Sequence, residues 1–322
     1  MQEGLVKVGL LCGREYAFPP AFIDRVNERG RAHGITAEFV TLTGTTMGEP
    51  SGYRVIVDRI SHEVEYYRAF LKHAVLEGAY VINNPFWWTA DDKFFNYAVA
   101  AKLGVAIPRT VVLPQKAYPA DVDLTPESLR NLGYPIDWDG LLDYVGRPAI
   151  LKPYSGGGWK HVYKVHTRDE LLAAYEGTAP YCMTLQQFID FTQYVRCFTF
   201  GRTDILPVAY DPRERRYLVE HAYLSPDLGA RIVRDAQTLN TALGYEMNTI
   251  EFAIQDGVPY AIDFLNPAPD FERDRITAHY FEIVVDKMAD LVIDRALTGQ
   301  PYQSWPRWPA MIGLTPAVAG PV

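Results

Sequence analysis

The sequence predicts an α/β domain at the amino end of the chain, followed by a larger part of α+β type. Short apolar strand-like runs alternate with amphipathic helical segments up to about residue 88, which is the pattern of a doubly wound sheet. Beyond that point, strands follow one another with single helices between them. The 322 residues are enough to bury two or three hydrophobic cores.

The first domain is predicted to span residues 1–88. Its elements are, in order, a strand at 5–12, a helix at 20–32, strands at 35–42 and 53–60, a helix at 65–76 and a strand at 80–83. In such sheets ligands bind beyond the carboxyl ends of the strands. We therefore expect the loops at 13–15, 59–61 and 83–84 to border a binding site.

A new unit is predicted to open at Thr89–Asp92, which is a helix-capping sequence. Its elements are a helix up to residue 103, an extended segment at 105–113, a short helix at 126–132, a strand at 149–151, a helix at 168–175, strands at 183–189 and 194–200, a helix at 227–243, strands at 247–254 and 258–265, and a helix at 279–297. Residues 114–146 are rich in Pro, Asp and Gly, and we expect them to form a surface insertion.

The composition and charge of the chain exclude some classes of partner and location. The net charge is −8, and the absence of a lysine/arginine block disfavours a nucleic-acid partner. A few local lysines are still enough to bind a nucleotide. The three cysteines (Cys12, Cys182 and Cys197) have no paired spacing, which fits a reducing compartment. No apolar run reaches the ~18 residues that a bilayer span needs. We expect a cytoplasmic protein without a membrane partner.

Residues 148–162 contain the strongest single motif. Lys152 ends an apolar strand, where a charge is costly unless an anion meets it. The loop that follows, Ser155–Gly158, has bare backbone N–H groups of the kind that surround phosphates. The spacing does not fit a Walker loop, because the lysine precedes the glycines. The alternative is a lysine that extends to solvent beside a flexible hairpin.

A second cluster is acidic. Glu251 and Asp263 lie in two strands joined by an Asp256-Gly257 turn, which would place the two carboxylates nearly opposite each other. Facing carboxylates raise each other's pKa unless a cation lies between them. Carboxylate and carboxamide oxygens, the latter from Asn266, suit Mg²⁺. The alternative is a solvated pair on the outer face of a hairpin.

Two other segments have weaker signals. Lys93 lies in the first turn of its helix, where a cation is unfavourable to the helix dipole. It is either a phosphate-binding lysine or a plain exposed one. The segment 186–189 ends a strand and offers backbone groups and an apolar wall for a flat heterocycle. Taken alone, it is an ordinary half-buried strand.

The order of these segments along the chain is more specific than any one of them. It resembles the ATP-grasp superfamily of carboxylate–amine or carboxylate–thiol ligases, similar to glutathione synthetase, D-alanine–D-alanine ligase and RimK-like members. The resemblance implies a Rossmann-like pre-ATP-grasp domain and two α+β lobes that enclose ATP. The small lobe would be 89–185, with the insertion and the glycine loop. The lobe with the metal site would be 186–305, and 306–322 would be a tail.

The resemblance also assigns roles to residues. Phosphates would be held by Lys93 and Lys152. The closing loop would consist of Ser155, Gly156, Gly157 and Gly158. The adenine hinge would consist of Gln186, Gln187, Phe188 and Ile189. The ligands of Mg²⁺, or of Mn²⁺ in its place, would be Glu251, Asp263 and Asn266. Arg196 is the first candidate for steadying an acylphosphate, together with Lys152 as a catalytic residue.

The sequence departs from the family pattern at three points. Gln193-Tyr194 stands where members usually carry an acidic residue for the ribose, so Tyr194 joins the expected nucleotide-binding set. The spacing from Asp263 to Asn266 needs a bulge to direct both side chains inward. Thr249 stands where an arginine is often seen.

The expected reaction is transfer of the γ-phosphate of ATP to a substrate carboxylate, followed by attack of an amine on the acylphosphate. The partners would be small molecules, an amino acid or a peptide among them, and the resemblance allows a homodimer. Arg14, Arg59 and Arg275 are further candidates for binding carboxylates. The alternatives are a small-molecule kinase on the same scaffold and a module that binds ATP without turnover.

Overall fold

The computed structural model describes residues 5–86, 92–119, 123–156, 160–219, 224–299 and 307–314. The chain divides into two compact units. The first comprises residues 1–88, 193–252 and 263–322, and the second comprises residues 89–192 and 253–262. The division into three domains and a tail at the expected boundaries stays a prediction.

The strands, numbered in chain order, are β1 (Val6–Leu11), β2 (Ile35–Phe39), β3 (Val55–Asp58), β4 (Tyr80–Ile82), β5 (Thr110–Leu113), β6 (Ala149–Pro153), β7 (Tyr163–Val165), β8 (Met183–Gln187), β9 (Gln193–Phe200), β10 (Asp204–Asp211), β11 (Arg216–Leu218), β12 (Met247–Gln255) and β13 (Val258–Asp263). The α-helices are α1 (Phe18–Gly30), α2 (Glu65–Leu76), α3 (Lys93–Lys102), α4 (Trp138–Val145), α5 (Arg168–Glu176), α6 (Pro226–Leu243), α7 (Arg273–Thr298) and α8 (Trp308–Met311).

The amino-terminal part of the first unit is a parallel sheet in the order β2-β1-β3-β4. Val55, Ile56 and Val57 of its inner strand β3 are fully buried, as in a strand covered on both faces. Gly34 follows α1 and a short 3-10 turn with φ 67°, a left-handed conformation that glycine adopts without strain. The alternation of strands and helices around a parallel sheet that was predicted for this part of the chain is confirmed.

Helices α1 and α7 lie against each other in the first unit. Three successive backbone N–H groups at the start of α1 donate to the carboxylate of Glu272, the residue before α7, at 2.9–3.2 Å. Further along, Arg29 pairs with Asp286 at 2.9 Å and with Asp290 at 2.7 Å. These contacts join the first helix of the chain to one that follows it by more than 240 residues.

The other sheet of the first unit has the order β11-β10-β9-β12-β13, and its last two strands continue into the second unit. Strands β10 and β11 are additions to the sequence prediction, which has no element between 200 and 227. Pro207 within β10 cannot donate to the ladder, which weakens the strand signal. Helix α7 begins at Arg273, earlier than the predicted residue 279, with a break at Thr277.

The second unit is built on an antiparallel sheet in the order β5-β8-β6-β7. Helix α4 was not predicted, because only a short helix near 126–132 was expected in the insertion. That helix is a 3-10 turn at Pro126–Leu129. Leu142 and Val145 of α4 are fully buried in the core of this unit. The end of the insertion therefore belongs to the core and not to the surface.

None of the helices in the described ranges has the length and apolar character that a membrane crossing needs.

Candidate functional site

Lys152 lies on β6 in the second unit, and its ammonium group is held within the protein. Its Nζ donates to the hydroxyl oxygen of Tyr97 at 3.0 Å and to the carbonyl oxygen of Ile262 at 3.2 Å. The same Nζ lies 5.3 Å from the centre of the Tyr97 ring. The side chain is therefore fixed, and it does not extend freely to solvent as the alternative interpretation required.

Lys93 is the first residue of α3 and is only 6% exposed. Of the predicted capping sequence, residues 89–91 lie outside the described residues, and the Asp92 side chain accepts the N–H of Phe95 at 2.8 Å. The backbone N–H of Lys93 donates to the carbonyl of Tyr154 at 3.2 Å. This bond ties the start of α3 to the segment that leaves β6, so the two predicted phosphate-binding lysines lie on neighbouring segments.

The predicted phosphate loop follows Tyr154. Ser155 and Gly156 are exposed, and Gly156 has a φ of 79° that suits glycine. Gly157 and Gly158 lie outside the described residues. Tyr154 is fixed at the stem of the loop, because its N–H donates to the carbonyl of Cys182 at 2.9 Å. The loop thus leaves an anchored stem.

The predicted adenine hinge lies at the end of β8. The Gln186 side chain is buried and donates to the Thr110 hydroxyl at 2.9 Å. The backbone N–H of Gln187 donates to the carbonyl of Arg109 at 2.8 Å. These two groups hold the strand in its sheet. The apolar surface at this position comes from Ile189, which is buried, and from Phe188.

The Phe188 ring has a cation above it. The Nζ of Lys164, on the neighbouring part of the same unit, lies 3.7 Å from the ring centre. An ammonium group at this distance is attracted by the negative face of the ring. The segment 186–189 therefore combines an aromatic face, an aliphatic side chain and a nearby positive charge, which is chemistry that suits a nucleotide. Its role as the hinge stays a prediction.

Glu251 on β12 is the centre of a charged cluster in the first unit. Its carboxylate pairs with Arg196 on β9 at 2.6 Å and accepts a hydrogen bond from the hydroxyl of Tyr194. The guanidinium of Arg196 also donates to Tyr217 at 3.2 Å and lies 3.8 Å from the centre of the Tyr210 ring. Tyr194, Arg196 and Glu251 are thus brought together as one set.

Burial raises the pKa of the Glu251 carboxyl above its usual value. The positive charge of Arg196 opposes this rise in pKa, and the negative charge of Asp263 adds to it. Burial, followed by the Glu251 charge, also raises the pKa of Tyr194. The two predicted metal-binding carboxylates are therefore close enough for the charge of one to act on the other.

The segment after β13 has an irregular backbone, and Asn266 lies outside the strand and is exposed. That Asp263 and Asn266 direct their side chains to one cation stays a prediction. The strand ends at Asp263, and the next two residues are both buried, so the alternation of a strand is broken. The buried side chain of Asn248 holds this bend. Its Oδ1 accepts the N–H of Asn266 and its Nδ2 donates to the carbonyl of Phe264, each at 2.9 Å.

Sequence reasoning missed Asn248, and it placed Asn83 in a loop beside a binding site without indicating the contacts that its side chain makes. The Asn83 side chain donates to the carbonyls of Met247 and Pro267 at 2.7 and 3.0 Å. Its Oδ1 accepts the N–H of Met247 at 2.9 Å. The signal available in the sequence was an uncharged polar residue in or directly after an apolar run, a position where a buried amide needs partners.

The donor set fits a hard divalent cation by its chemistry. Glu251 and Asp263 supply carboxylate oxygens and Asn266 a carboxamide oxygen, which are ligands of the type that Mg²⁺ takes. The raised pKa of Glu251 indicates an environment that a cation would improve. Within the described residues, no group of three or more His, Cys, Asp and Glu side chains is arranged for a metal. A site here would therefore depend on the amide.

The expectation that Arg59 binds a substrate carboxylate is not supported by its position. Its side chain is buried between the rings of Phe18 and Phe271, at 4.8 and 4.7 Å from their centres. Its Nε donates to both oxygens of Glu15, at 2.9 and 2.8 Å. The guanidinium also donates to the carbonyl of Pro269. Arg59 therefore joins segments of the first unit.

The other two arginines proposed for carboxylates lie on the surface. Arg14 has a 92% exposed side chain, 3.7 Å from Glu63. Arg275 lies 3.9 Å from both Asp270 and Asp274. Each is a solvated ion pair, which contributes little to stability. Their role in binding a substrate stays a prediction.

Comparison with known proteins gives the fold. No family model and no curated protein matches the sequence. Solved structures do match. A RimK domain ATP-grasp protein from Sphaerobacter thermophilus superposes with a TM-score of 0.62 at 18% identity, covering 91% of this chain and 100% of that chain. D-alanine–D-alanine ligase from Bacillus anthracis gives a TM-score of 0.60 at 17% identity, covering 91% and 98%.

A third solved structure is the ATP-grasp ligase PsnB in complex with the precursor peptide PsnA2 and AMPPNP. It superposes with a TM-score of 0.59 at 15% identity, covering 92% of this chain and 99% of that one. The chain has the ATP-grasp fold. The resemblance inferred from the order of its motifs is thereby confirmed at the level of the fold, over nine-tenths of its length.

Proposed function

We propose that the protein is an ATP-dependent ligase that activates a substrate carboxylate as an acylphosphate and joins it to an amine, with release of ADP and phosphate. The observation that carries this proposal is the hydrogen bond from the backbone N–H of Lys93 to the carbonyl of Tyr154, within the ATP-grasp fold. This bond joins the start of α3 to the segment between Lys152 and the glycine loop. A solved D-alanine–D-alanine ligase of this fold contains ATP, which supports the choice of nucleotide.

The side chains of the second unit are suited to hold the nucleotide. Phosphoryl transfer needs positioning and charge neutralisation more than covalent help from the protein. Lys93 and Lys152 would place two positive charges on the phosphates. The exposed loop that begins at Ser155 would cover them and exclude water, which protects an acylphosphate from hydrolysis. Phe188 and Ile189 would contact the adenine.

The side chains of the first unit are suited to hold the cation. Glu251, Asp263 and Asn266 would bind Mg²⁺, which would neutralise charge on the phosphate oxygens. Arg196, fixed by its ion pair with Glu251, would orient that carboxylate. We keep Arg196 as the candidate for steadying the acylphosphate. We place Tyr194 beside it, as a donor to Glu251 rather than as a substitute for a ribose-binding acid.

The substrates would be a small-molecule carboxylate and an amine of amino-acid or peptide type. The support is that one solved neighbour holds a precursor peptide, and another, the macrocyclase MdnC from Microcystis aeruginosa, is also bound to one. A cytoplasmic location and a homodimer remain part of the proposal as expectations.

The test is ADP release by the full chain with Mg·ATP, screened against paired sets of carboxylic acids and amines. We expect ADP only when both an acid and an amine are present. Lys152→Ala should lower the rate by roughly 10²-fold or more, because a charge that faces the transferred phosphate is lost. Lys116→Ala removes an exposed lysine of the same unit and should leave the rate unchanged. Full turnover by Lys152→Ala would refute the assignment.

The chemistry can be separated from that of a kinase by a chemical trap. Hydroxylamine added with ATP and the acid alone should give a hydroxamate, because it attacks the acylphosphate in place of the amine. A stable phosphorylated product, with no hydroxamate, would point to a kinase acting on a hydroxyl.

A second candidate function is a module that binds ATP without turnover. The observation that favours it concerns Glu251, because one of its carboxylate oxygens pairs with Arg196 and the other accepts a hydrogen bond from Tyr194. Neither oxygen is then left for a cation alone. Tight binding of Mg·ATP, with no ADP formed across the whole substrate panel, would support this function over the ligase.

A further inference from the structure

Asn240 lies in the last turn of α6 and is fully buried. Its backbone carbonyl accepts the N–H groups of Gly244 and Tyr245, at 2.8 and 3.0 Å, and these two bonds close the end of the helix. Its side chain makes a contact that the helix does not need. The Oδ1 of Asn240 accepts a hydrogen bond from the Nδ2 of Asn248, on β12, at 3.1 Å. Asn240 therefore joins the end of a helix to the residue that holds the segment after β13.

The amide of Asn248 has only one orientation that satisfies its neighbours. Its Nδ2 donates to two acceptors, the Oδ1 of Asn240 at 3.1 Å and the carbonyl of Phe264 at 2.9 Å. Its Oδ1 accepts the N–H of Asn266 at 2.9 Å. If this amide turned over, its oxygen would face two acceptors and its NH₂ group would face a donor. The oxygen of Asn240 is thus one of the acceptors that select the orientation in which Asn248 holds Asn266.

The other half of the Asn240 amide is unsatisfied. Within the part of the chain that the structure describes, its Nδ2 has no hydrogen-bond partner, although the side chain is fully buried. A buried donor without an acceptor costs stability, and an apolar side chain of similar shape would avoid that cost. Leucine has nearly this shape. Packing therefore does not account for an asparagine at this position, and what its side chain contributes is one acceptor oxygen.

The bond to Asn266 matters because that residue lies outside the regular structure. Strand β13 ends at Asp263, and Asn266 is exposed in the irregular segment that follows. Mg²⁺ demands near-ideal octahedral geometry, and groups behind its ligands hold those ligands in place. A ligand carried by an irregular segment depends on hydrogen bonds to the backbone of that segment. Asn248 supplies such a bond directly, and Asn240 acts one step behind it.

We propose that Asn240 is a positioning residue for Asn266, the predicted cation ligand, and that it acts through Asn248; the inference rests on the proposed function. Asn240 does not bind the cation itself, because its side chain is buried and its oxygen is engaged by Asn248. Without this oxygen, Asn248 has a weaker preference for its orientation, and the N–H of Asn266 is held less tightly. The ligand then takes up a wider range of positions, and the cation binds more weakly.

The link from Asn240 to Asn266 is tested first without cation or nucleotide. Asn240→Leu removes the oxygen and keeps the size of the side chain. Amide hydrogen exchange of the full chain, followed by NMR, should show the N–H of Asn266 exchanging at least about threefold faster than in the wild type. The midpoint of denaturant unfolding should change little, because the lost hydrogen bond is offset by removal of an unsatisfied buried donor. Unchanged exchange at Asn266 would overturn the proposal.

The effect on the cation is measured by nucleotide binding. For each variant, calorimetry gives the Kd of a non-hydrolysable ATP analogue in EDTA and again in saturating Mg²⁺. The ratio of the two values reports the contribution of the cation, since the other contacts of the nucleotide cancel. In Asn240→Leu we expect this ratio to decrease by about tenfold, the lower end of the effect of groups behind a metal ligand. The Kd in EDTA should stay as in the wild type.

Two further variants separate positioning from a loss of stability. Asn240→Ala also lacks the oxygen and leaves a cavity, so it should be less stable than Asn240→Leu and show the same decrease in the ratio. Asn27→Leu is the matched control in the first unit. It loses the bonds between the Asn27 amide and the backbone of Ala37, at 2.7 and 3.1 Å, and should lower stability without changing the ratio. A ratio that followed stability across the three variants would refute a positioning role.

The outcomes distinguish this inference from the proposed function. An unchanged ratio in Asn240→Leu, with a wild type that responds to Mg²⁺, would remove the positioning role and leave the ligase intact. A wild type whose affinity does not depend on Mg²⁺ would remove both the cation site and this inference. A ratio that depends on Asn240, with no ADP formed from any pair of acid and amine, would retain the positioning role and remove the ligase.

Discussion

Asp235 on α6 is a carboxylate whose surroundings disfavour its charge. Burial raises the pKa of this carboxyl, and the positive charges of Arg231 and Arg234 only partly oppose the rise. Its Oδ2 has no hydrogen-bond partner and lies 3.7 Å from the Nε of Arg231. Because the pKa in the folded state is higher than in the unfolded chain, stability decreases as pH rises through the interval between the two values.

We therefore expect Asp235→Asn to stabilise the protein near neutral pH, where the penalty of the ionised acid is fully present. The gain should be below about 1 kcal/mol, because the arginines compensate part of the cost. Denaturant unfolding should show this gain near neutral pH and lose it below about pH 3, where the acid is protonated in both states. A gain that persisted unchanged in acid would show that the charge is not its cause.

At the scale of elements, the segment from Phe264 to Pro269 is held by three side chains. Asn248 binds its start, Asn83 binds the carbonyl of Pro267 and Arg59 binds the carbonyl of Pro269. Each of the three belongs to a different strand or to the loop that follows one. The irregular backbone that carries Asn266 is therefore rigid without regular secondary structure.

We expect Asn248→Ala to destabilise the first unit by about 2–4 kcal/mol, because the N–H of Asn266 and the buried carbonyl of Phe264 lose their partner. Chemical denaturation measures this directly. Gln237→Ala removes an exposed hydrogen bond to the carbonyl of Thr203 and serves as the control, with an expected cost below about 0.5 kcal/mol. Equal costs for the two variants would show that Asn248 does not hold the segment.

At the scale of the whole molecule, a nucleotide that binds only the folded chain must stabilise it. At a concentration of 100 times Kd, Mg·ATP should add about 2.7 kcal/mol to the free energy of unfolding. Thermal unfolding at increasing Mg·ATP should therefore show a midpoint that continues to rise, and Lys152→Ala should show little rise. No shift in the wild type at millimolar Mg·ATP would contradict nucleotide binding altogether.

The sequence was sufficient for elements whose signal is local. The strands of the first sheet could be predicted from the sequence, because each is a mostly apolar run that ends in a glycine or a polar loop. Lys152 and Glu251 could be identified because a charged side chain in an apolar strand is costly to bury unless it has a partner of opposite charge. Their partners could not be derived, since Tyr97 and Arg196 meet them only through tertiary packing.

Other features depended on contacts far apart in the chain. Arg59 has the residue type of a carboxylate ligand, and its actual partner, Glu15, lies 44 residues away. Asn83 and Asn248 have uncharged amides that give no hint of which backbone groups they bind. Helix α4 is an amphipathic run of only eight residues in polar surroundings, too short for its period to be distinctive.

The carboxylate of Glu272 has a consequence for how the protein is made. It satisfies backbone N–H groups at the start of α1, and the apolar face of α1 packs into a core shared with α7. When only the first ninety or so residues have been synthesised, α1 can pack against the strands of its own sheet, but the part of its face that contacts α7 has no partner. We therefore expect the nascent amino-terminal domain to remain incompletely packed, with apolar surface that chaperones would bind, until nearly the whole polypeptide has been synthesised.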